Sequence, residues 1–110
     1  MRKNPLITII IGTRPEAIKL SPVIKYFNSK NYFKTRVILT GQHVEMVKQI
    51  TDLFEIKIDK NLHLMRPNQS LTYLTTSTLE ALEQDFINYR PEIVLVQGDT
   101  TTAFSAALAA

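Results

Sequence analysis

The sequence predicts an α/β fold, with a parallel β-sheet and helices on both of its faces. Three observations predict it. Short apolar segments alternate with stretches of helical periodicity, the order that feeds crossover connections between parallel strands. The first segment, Leu6–Ile11, is apolar at every position except Thr8, as a strand covered on both faces should be. The best-defined strands each run into one glycine, at Gly12, Gly41 and Gly98. Together these describe a Rossmann-like, doubly wound sheet.

Each element can be justified from its residues. After Leu6–Ile11, Pro15 and Glu16 suit the first turn of a helix. Proline lacks the donor that would be orphaned there, and an acid favours the helix dipole. Ala17, Leu20, Ile24 and Phe27 continue that helix at helical spacing, Ser21-Pro22 predicts a kink or restart, and Asn28 to Asn31 end it. Thr35–Thr40 is the second strand. It leads into a helix of about ten residues, with Val44, Val47, Ile50 and Phe54 on one face. Asn61–Met65 alternates polar and apolar residues and is expected to be a short edge strand. Ser70 caps a long helix that reaches about Tyr89, with an apolar face of Leu71, Leu74, Leu79, Leu82 and Phe86. Arg90-Pro91 stops it. Ile93–Val96 is expected to be the fourth, buried strand, and a last helix starts near Thr100. The closing "DTTTAFSAALAA" has no glycine cap, basic last turn or proline stop, which reads as a helix in progress. The sequence is therefore expected to be the amino-terminal piece of a longer protein.

Bulk properties exclude several classes. The 110 residues suffice for one small domain with a core and not for two. A net charge of +3 is scattered among acids, with no basic run of the kind a nucleic-acid-binding arm carries. No cysteine is present, which removes disulfides and thiol chemistry. No apolar stretch approaches the roughly 18 residues of a membrane span. The start, "MRKNPLITIIIG", imitates a signal peptide, but it leads into a charged helix with no small-residue cleavage site. A cytoplasmic location is expected.

In a parallel sheet every strand's carboxyl end lies on one edge, and ligands bind in the crevice outside that edge. The strands run into the turns Gly12-Thr13-Arg14, Gly41-Gln42-His43, Arg66-Pro67-Asn68-Gln69 and Gly98-Asp99-Thr100. Polar residues distant in sequence are thus expected on one rim. "GTRPEA" lacks the second and third glycines of the dinucleotide fingerprint, and a Walker pattern is absent, so charged side chains must reach the ligand here. Arg14 can grip a carboxylate, phosphate or sugar hydroxyls through its planar fork, or simply pair with Glu16. Lys19 stands three residues after Glu16, and spacing alone favours a surface ion pair. His43 suits a ligand donor or a helix-start residue, whereas His63 reads as structural. Neither has metal-ligand spacing, so no metal site is predicted. Asp99 is a helix N-cap or a proton carrier. Thr100, Thr101 and Thr102 supply hydroxyls beside it, and one of them could take the cap.

"GTRPEAIK", "TGQHVEM", "RPNQSL" and "VQGDTTTAFSAALAA", in that order, resemble the amino-terminal part of the non-hydrolysing bacterial UDP-N-acetylglucosamine 2-epimerases. The resemblance implies two Rossmann-like domains of the GT-B type facing across a cleft. This chain is then the first half of the amino-terminal domain, without the carboxy-terminal UDP-binding domain. It implies interconversion of UDP-N-acetylglucosamine and UDP-N-acetylmannosamine by elimination and re-addition of UDP, with no nicotinamide and no metal, and a homodimer when full length. Carried onto matching positions, it makes Arg14, Lys19 and Asp99 active-site residues, with Asp99 among the catalytic acids. Thr102 joins them as a substrate-binding candidate. Gln42, His43 and Gln69 match positions that in several members hold a second UDP-N-acetylglucosamine as an activator. Many activated members carry a basic residue just before that last glutamine, whereas this chain has Asn68 there and Arg66 two positions earlier. A hydrolysing relative that releases N-acetylmannosamine, a non-catalytic Rossmann-like binding module and a GT-B glycosyltransferase are the competing readings.

Overall fold

A computed structural model describes residues 5–30, 32–41, 44–66, 68–98 and 100–110. The elements alternate as β1 (Leu6–Ile11), α1 (Arg14–Asn28), β2 (Lys34–Leu39), α2 (Val44–Leu53), β3 (Lys60–Asn61), α3 (Leu71–Asn88), β4 (Ile93–Leu95) and α4 (Thr101–Ala109). The four strands pair in parallel in the order β3-β2-β1-β4. The chain steps outward from β1 to β3, then returns to lay β4 on the other side of β1. The reversal between β1 and β4 is the topological switch point of a doubly wound sheet.

β1 is central and wholly buried. Successive side chains of a strand face opposite ways, and the two helical layers use that alternation. Ile7, Ile9 and Ile11 pack with Ala17, Leu20 and Ile24 of α1 and Val47 of α2. Ile10 and Ile38 pack with Leu82 and Phe86 of α3 and Ala106 of α4. Both faces of the sheet are therefore covered, as the apolar composition of β1 requires.

Four elements differ from the sequence reading. α1 is one helix with Pro22 inside it, so of the expected kink or restart the restart does not occur. β3 is two residues long and lies earlier than Asn61–Met65. His63 takes a positive φ of 53°, and the Asn61 side chain accepts its N–H at 2.9 Å, so the regular strand stops. Backbone bonds nevertheless continue past the regular strand, from Leu62 N–H to Leu39 of β2 and from Leu64 N–H to Thr40 just after it. In α3 the expected apolar face is only partly buried: Leu71 is exposed, while Thr78 and Asp85 are inside. β4 is an edge strand rather than a buried one, with Ile93 49% exposed, because its neighbour among the described residues is on the β1 side only.

Asp85 has a partner that explains its burial. Arg36 of β2 donates from both terminal nitrogens to its two carboxylate oxygens, at 2.6 and 3.1 Å. Tyr89 stacks on the same guanidinium, 3.8 Å from ring centroid to Cζ. A fork on a carboxylate and a plane on a ring are geometries that arginine, not lysine, can satisfy together. This ties α3 to β2. Leu6, Lys34, Thr35, Arg36, Asp59, Tyr89 and Arg90 line a cleft of about 560 Å³ there. It lies around the starts of β1 and β2, away from the carboxyl ends where the polar turns gather.

Candidate functional site

The turns after β1, β2, β3 and β4 share the carboxyl edge of the sheet. Two of them need glycine for their shape: φ is +111° at Gly41 and +85° at Gly98, a region that L side chains rarely occupy.

At the switch point, Thr13 is the N-cap of α1, in extended conformation, with no side-chain bond to the helix N–H groups. Arg14 and Pro15 open the helix, and Glu16 stands at its third position. Glu16 does not form the surface ion pair with Arg14 or Lys19 that spacing suggested. It is 1% exposed. Its Oε1 accepts the Gly12 N–H at 2.9 Å, and its Oε2 accepts the Thr13 hydroxyl at 2.8 Å. A glutamate at this position reaching back to the start of its own helix is the capping-box arrangement, displaced here by one residue onto Gly12.

The same Oε2 accepts a third bond, from the Thr100 hydroxyl at 3.1 Å. Thr100 is the N-cap of α4, its Oγ1 accepting the Ala103 N–H at 3.2 Å. One of the threonines therefore takes the cap, as the sequence allowed. The Thr100 hydroxyl donates to one helix start and accepts from another. The turn after β1 is thereby fastened to the start of α4 at the switch point.

Arg14 and Lys19 are both exposed, and neither is held in a hydrogen bond or ion pair among the described residues. Two exposed cationic side chains thus stand in the first half of α1. Thr102 is fully buried (0%) within α4. Asp99, Gln42 and His43 lie outside the described residues, while Gly98 and Thr100, on either side of Asp99, lie within them.

Gln69 sits on the half of the rim away from β4. Its Oε1 accepts the Arg66 N–H and its Nε2 donates to the Met65 sulfur, both at 3.2 Å. Arg66 stacks on Tyr73, 3.7 Å from the ring centroid, and Asn68 takes a φ of 55°. The Gln69 amide is thus spent on its own loop in this conformation. Among the described residues no group of three His, Asp or Glu side chains could hold a metal ion, and no helix is long and apolar enough to cross a membrane.

Sequence reasoning read Glu16 only as a first-turn acid and surface partner, and it missed Arg36 and Asp85. The threonine-to-glutamate spacing of Thr13 and Glu16 carries a local signal for the first. No local signal points to Thr100, 84 residues away, or pairs Arg36 with Asp85.

Comparison with known proteins agrees with this geometry. A family model described as UDP-N-acetylglucosamine 2-epimerase matches residues 25–110. The chain is 48% identical over 101 residues to the UDP-N-acetylglucosamine 2-epimerase of Neisseria meningitidis serogroup A, covering 92% of this chain and 27% of that protein. It is 46% identical over 100 residues to the enzyme of the same name from Yersinia pestis, covering 91% of this chain and 27% of that one. The chain thus spans about a quarter of the length of these relatives. A crystal structure of the Neisseria meningitidis epimerase bound to UDP-N-acetylglucosamine superposes with a TM-score of 0.87 at 47% identity, over 94% of this chain and 28% of that one. A structure from Methanocaldococcus jannaschii, in complex with UDP-N-acetylglucosamine and UDP, superposes with a TM-score of 0.86 at 32% identity, over 94% of this chain and 29% of that one.

Proposed function

Because the chain belongs to the UDP-N-acetylglucosamine 2-epimerase family, we propose that it forms one wall of an active site that interconverts UDP-N-acetylglucosamine and UDP-N-acetylmannosamine. The observation that carries this reading is the fastening of the β1 turn to the β4 turn at the switch point. It supports a crevice with Arg14 and Lys19 on one side and Asp99 on the other.

The chemistry asks for such a wall. A base removes the proton at C2 of the sugar, and that electron pair forms a C1–C2 double bond. The bond from C1 to the β-phosphate oxygen breaks, and UDP leaves with its electrons. UDP then adds back to C1 while C2 takes a proton on its other face. Asp99 serves proton transfer or the positioning of its carrier. Arg14 and Lys19 stabilise charge that grows on the departing diphosphate. The missing glycines of "GTRPEA" suit this division of labour, since the turn offers side chains rather than a backbone cradle. Gln42, His43 and Gln69 are assigned to a second UDP-N-acetylglucosamine site, for which Gln69 must first leave Arg66 and Met65. In the complete protein we place this activity in the cytoplasm, in a homodimer and without nicotinamide or metal. The 110-residue chain alone is expected to be inactive.

The test replaces the matching 101-residue segment of the Neisseria meningitidis relative with this chain and follows UDP-N-acetylglucosamine by proton NMR in D₂O. UDP-N-acetylmannosamine carrying deuterium at C2 is the expected product. Asp99→Asn is expected to slow its formation by roughly 10²-fold or more. A folded chimera without turnover overturns the reading. Free N-acetylmannosamine with UDP transfers it to the hydrolysing relative.

A further inference from the structure

We propose that Glu16 is a positioning residue: its buried carboxylate is a strut that sets the distance between the turn after β1 and the start of α4. The inference rests on the epimerase reading for its kinetic consequence and on geometry alone for its structural one.

An ordinary capping glutamate satisfies donors at its own helix start and is half in water. Glu16 differs in two respects. It is 1% exposed, where a carboxylate costs several kcal/mol unless its oxygens are fully engaged. It also accepts from a residue 84 positions away. All three partners are donors: the Gly12 N–H, the Thr13 hydroxyl and the Thr100 hydroxyl. A carboxylate is acceptor-only and suits that set, whereas an amide must turn two hydrogens towards it. The Thr100 hydroxyl has one proton. While that proton goes to Glu16, the oxygen is free to accept from Ala103 and start α4. Losing the carboxylate removes the partner that orients the hydroxyl, and the start of α4 loses its tie to α1. Asp99 directly precedes Thr100 in the sequence, so the tie acts one residue from the proposed catalytic acid. Displacement of a reacting group by about 1 Å can cost on the order of 10²-fold in rate. The carboxylate is buried and engaged with three protein donors, so its loss is expected to act on kcat rather than on KM.

The experiment uses variants at both ends of the strut. In the same chimera, Glu16→Gln and Thr100→Val are each expected to lower kcat by about 10²-fold, with KM for UDP-N-acetylglucosamine within about threefold. Their combination is expected to cost little more than either alone, because each already breaks the same link. Thr100→Ser keeps the hydroxyl and is expected to restore kcat to within about threefold. The 110-residue chain is measured in parallel. Thr100→Val is expected to shift the Gly12 amide resonance, and the Tm decreases of Glu16→Gln and Thr100→Val are expected to be non-additive. A chimera that is inactive before any substitution counts against the epimerase reading, and the strut is then judged on these two measurements. Additive Tm losses with an unmoved Gly12 amide overturn it. So do variants that unfold earlier yet keep kcat within threefold of the parent, for Glu16 is then a helix cap and nothing more.

Discussion

Gly41 shows what one residue contributes to the rim. Its φ of +111° is open to glycine and strained for anything with a Cβ. A Cβ there would also lie 2.9 Å from the Leu64 nitrogen and 3.1 Å from the His63 Cα. Both are backbone atoms and cannot swing aside as a side-chain tip can. The Leu64 N–H is bonded to the Thr40 carbonyl at 2.9 Å, so moving it strains the ladder that carries the chain towards Arg66 and Gln69. Gly41→Ala is accordingly expected to lower stability by about 1–3 kcal/mol, read from urea unfolding. Gly98 offers a control. It has a positive φ too, but nothing lies within 4 Å of where its Cβ would stand, so Gly98→Ala is expected to cost less. At this scale the sequence showed that single glycines end the strands. It could not show which one faces a wall of backbone, because that wall is built by a loop some twenty residues further on. Glu16 teaches the same lesson. The bonds to Gly12 and Thr13 are local and come from a threonine placed three residues before a glutamate, while the bond to Thr100 exists only once β4 has docked beside β1.

The elements were legible in proportion to how strongly local pattern determines them. β1 and the helices α1, α2 and α3 start and stop close to where periodicity, proline and the Ser70 cap place them, and the Ser70 hydroxyl accepts the Tyr73 N–H at 2.9 Å. Periodicity was less informative about which turns of α3 are buried. It marked Leu71 as core and was silent on Asp85, since helical spacing records the apolar positions and not a charge brought inside by a partner. Arg36 and Asp85 lie at opposite ends of that misreading. The Asp85 side chain is fully buried and that of Arg36 is 12% exposed. Lys60 stands 3.8 Å from the same carboxylate but is 46% exposed and solvated, so its share is small. Removing one member of a buried pair leaves the other charge uncompensated, at a typical cost of about 3–5 kcal/mol. Arg36→Ala is therefore expected to destabilise the chain by about 3 kcal/mol, and it also loses the contact with Tyr89. Replacing both residues by apolar ones of similar size is expected to recover most of that loss. Urea midpoints of the single and double variants check the sequence of effects. Equal losses in the two variants would mean that the ion pair itself, rather than the stranded charge, accounts for the cost.

Across the whole molecule the parallel sheet runs from a heavily covered centre to two thin edges, and stability should track that gradient. β1 has strands on both sides and helices on both faces, and every one of its residues is buried. β3 contributes two residues at one edge, and β4 three at the other. The doubly wound order was legible from the alternation of elements. The openness of β4 was not, because the run Ile93–Val96 is as apolar as β1 and composition cannot count neighbours. The register decides the consequence residue by residue. The Glu92 N–H bonds to the Leu6 carbonyl at 2.8 Å, and in a parallel ladder successive N–H groups alternate between neighbours. The Val94 N–H therefore turns towards β1, and those of Ile93 and Leu95 towards the open edge. In amide hydrogen exchange of the 110-residue chain, Ile93 and Leu95 are expected to exchange at least about tenfold faster than Val94. The Ile9 and Ile10 amides of β1 are expected to be the slowest of all, opening only with global unfolding. Tenfold corresponds to about 1.4 kcal/mol, a small margin against whole-domain stability but large for neighbouring amides. Uniform protection along Ile93–Leu95 would mean that the outer edge of β4 is covered in solution, and the protected residues would then map what covers it.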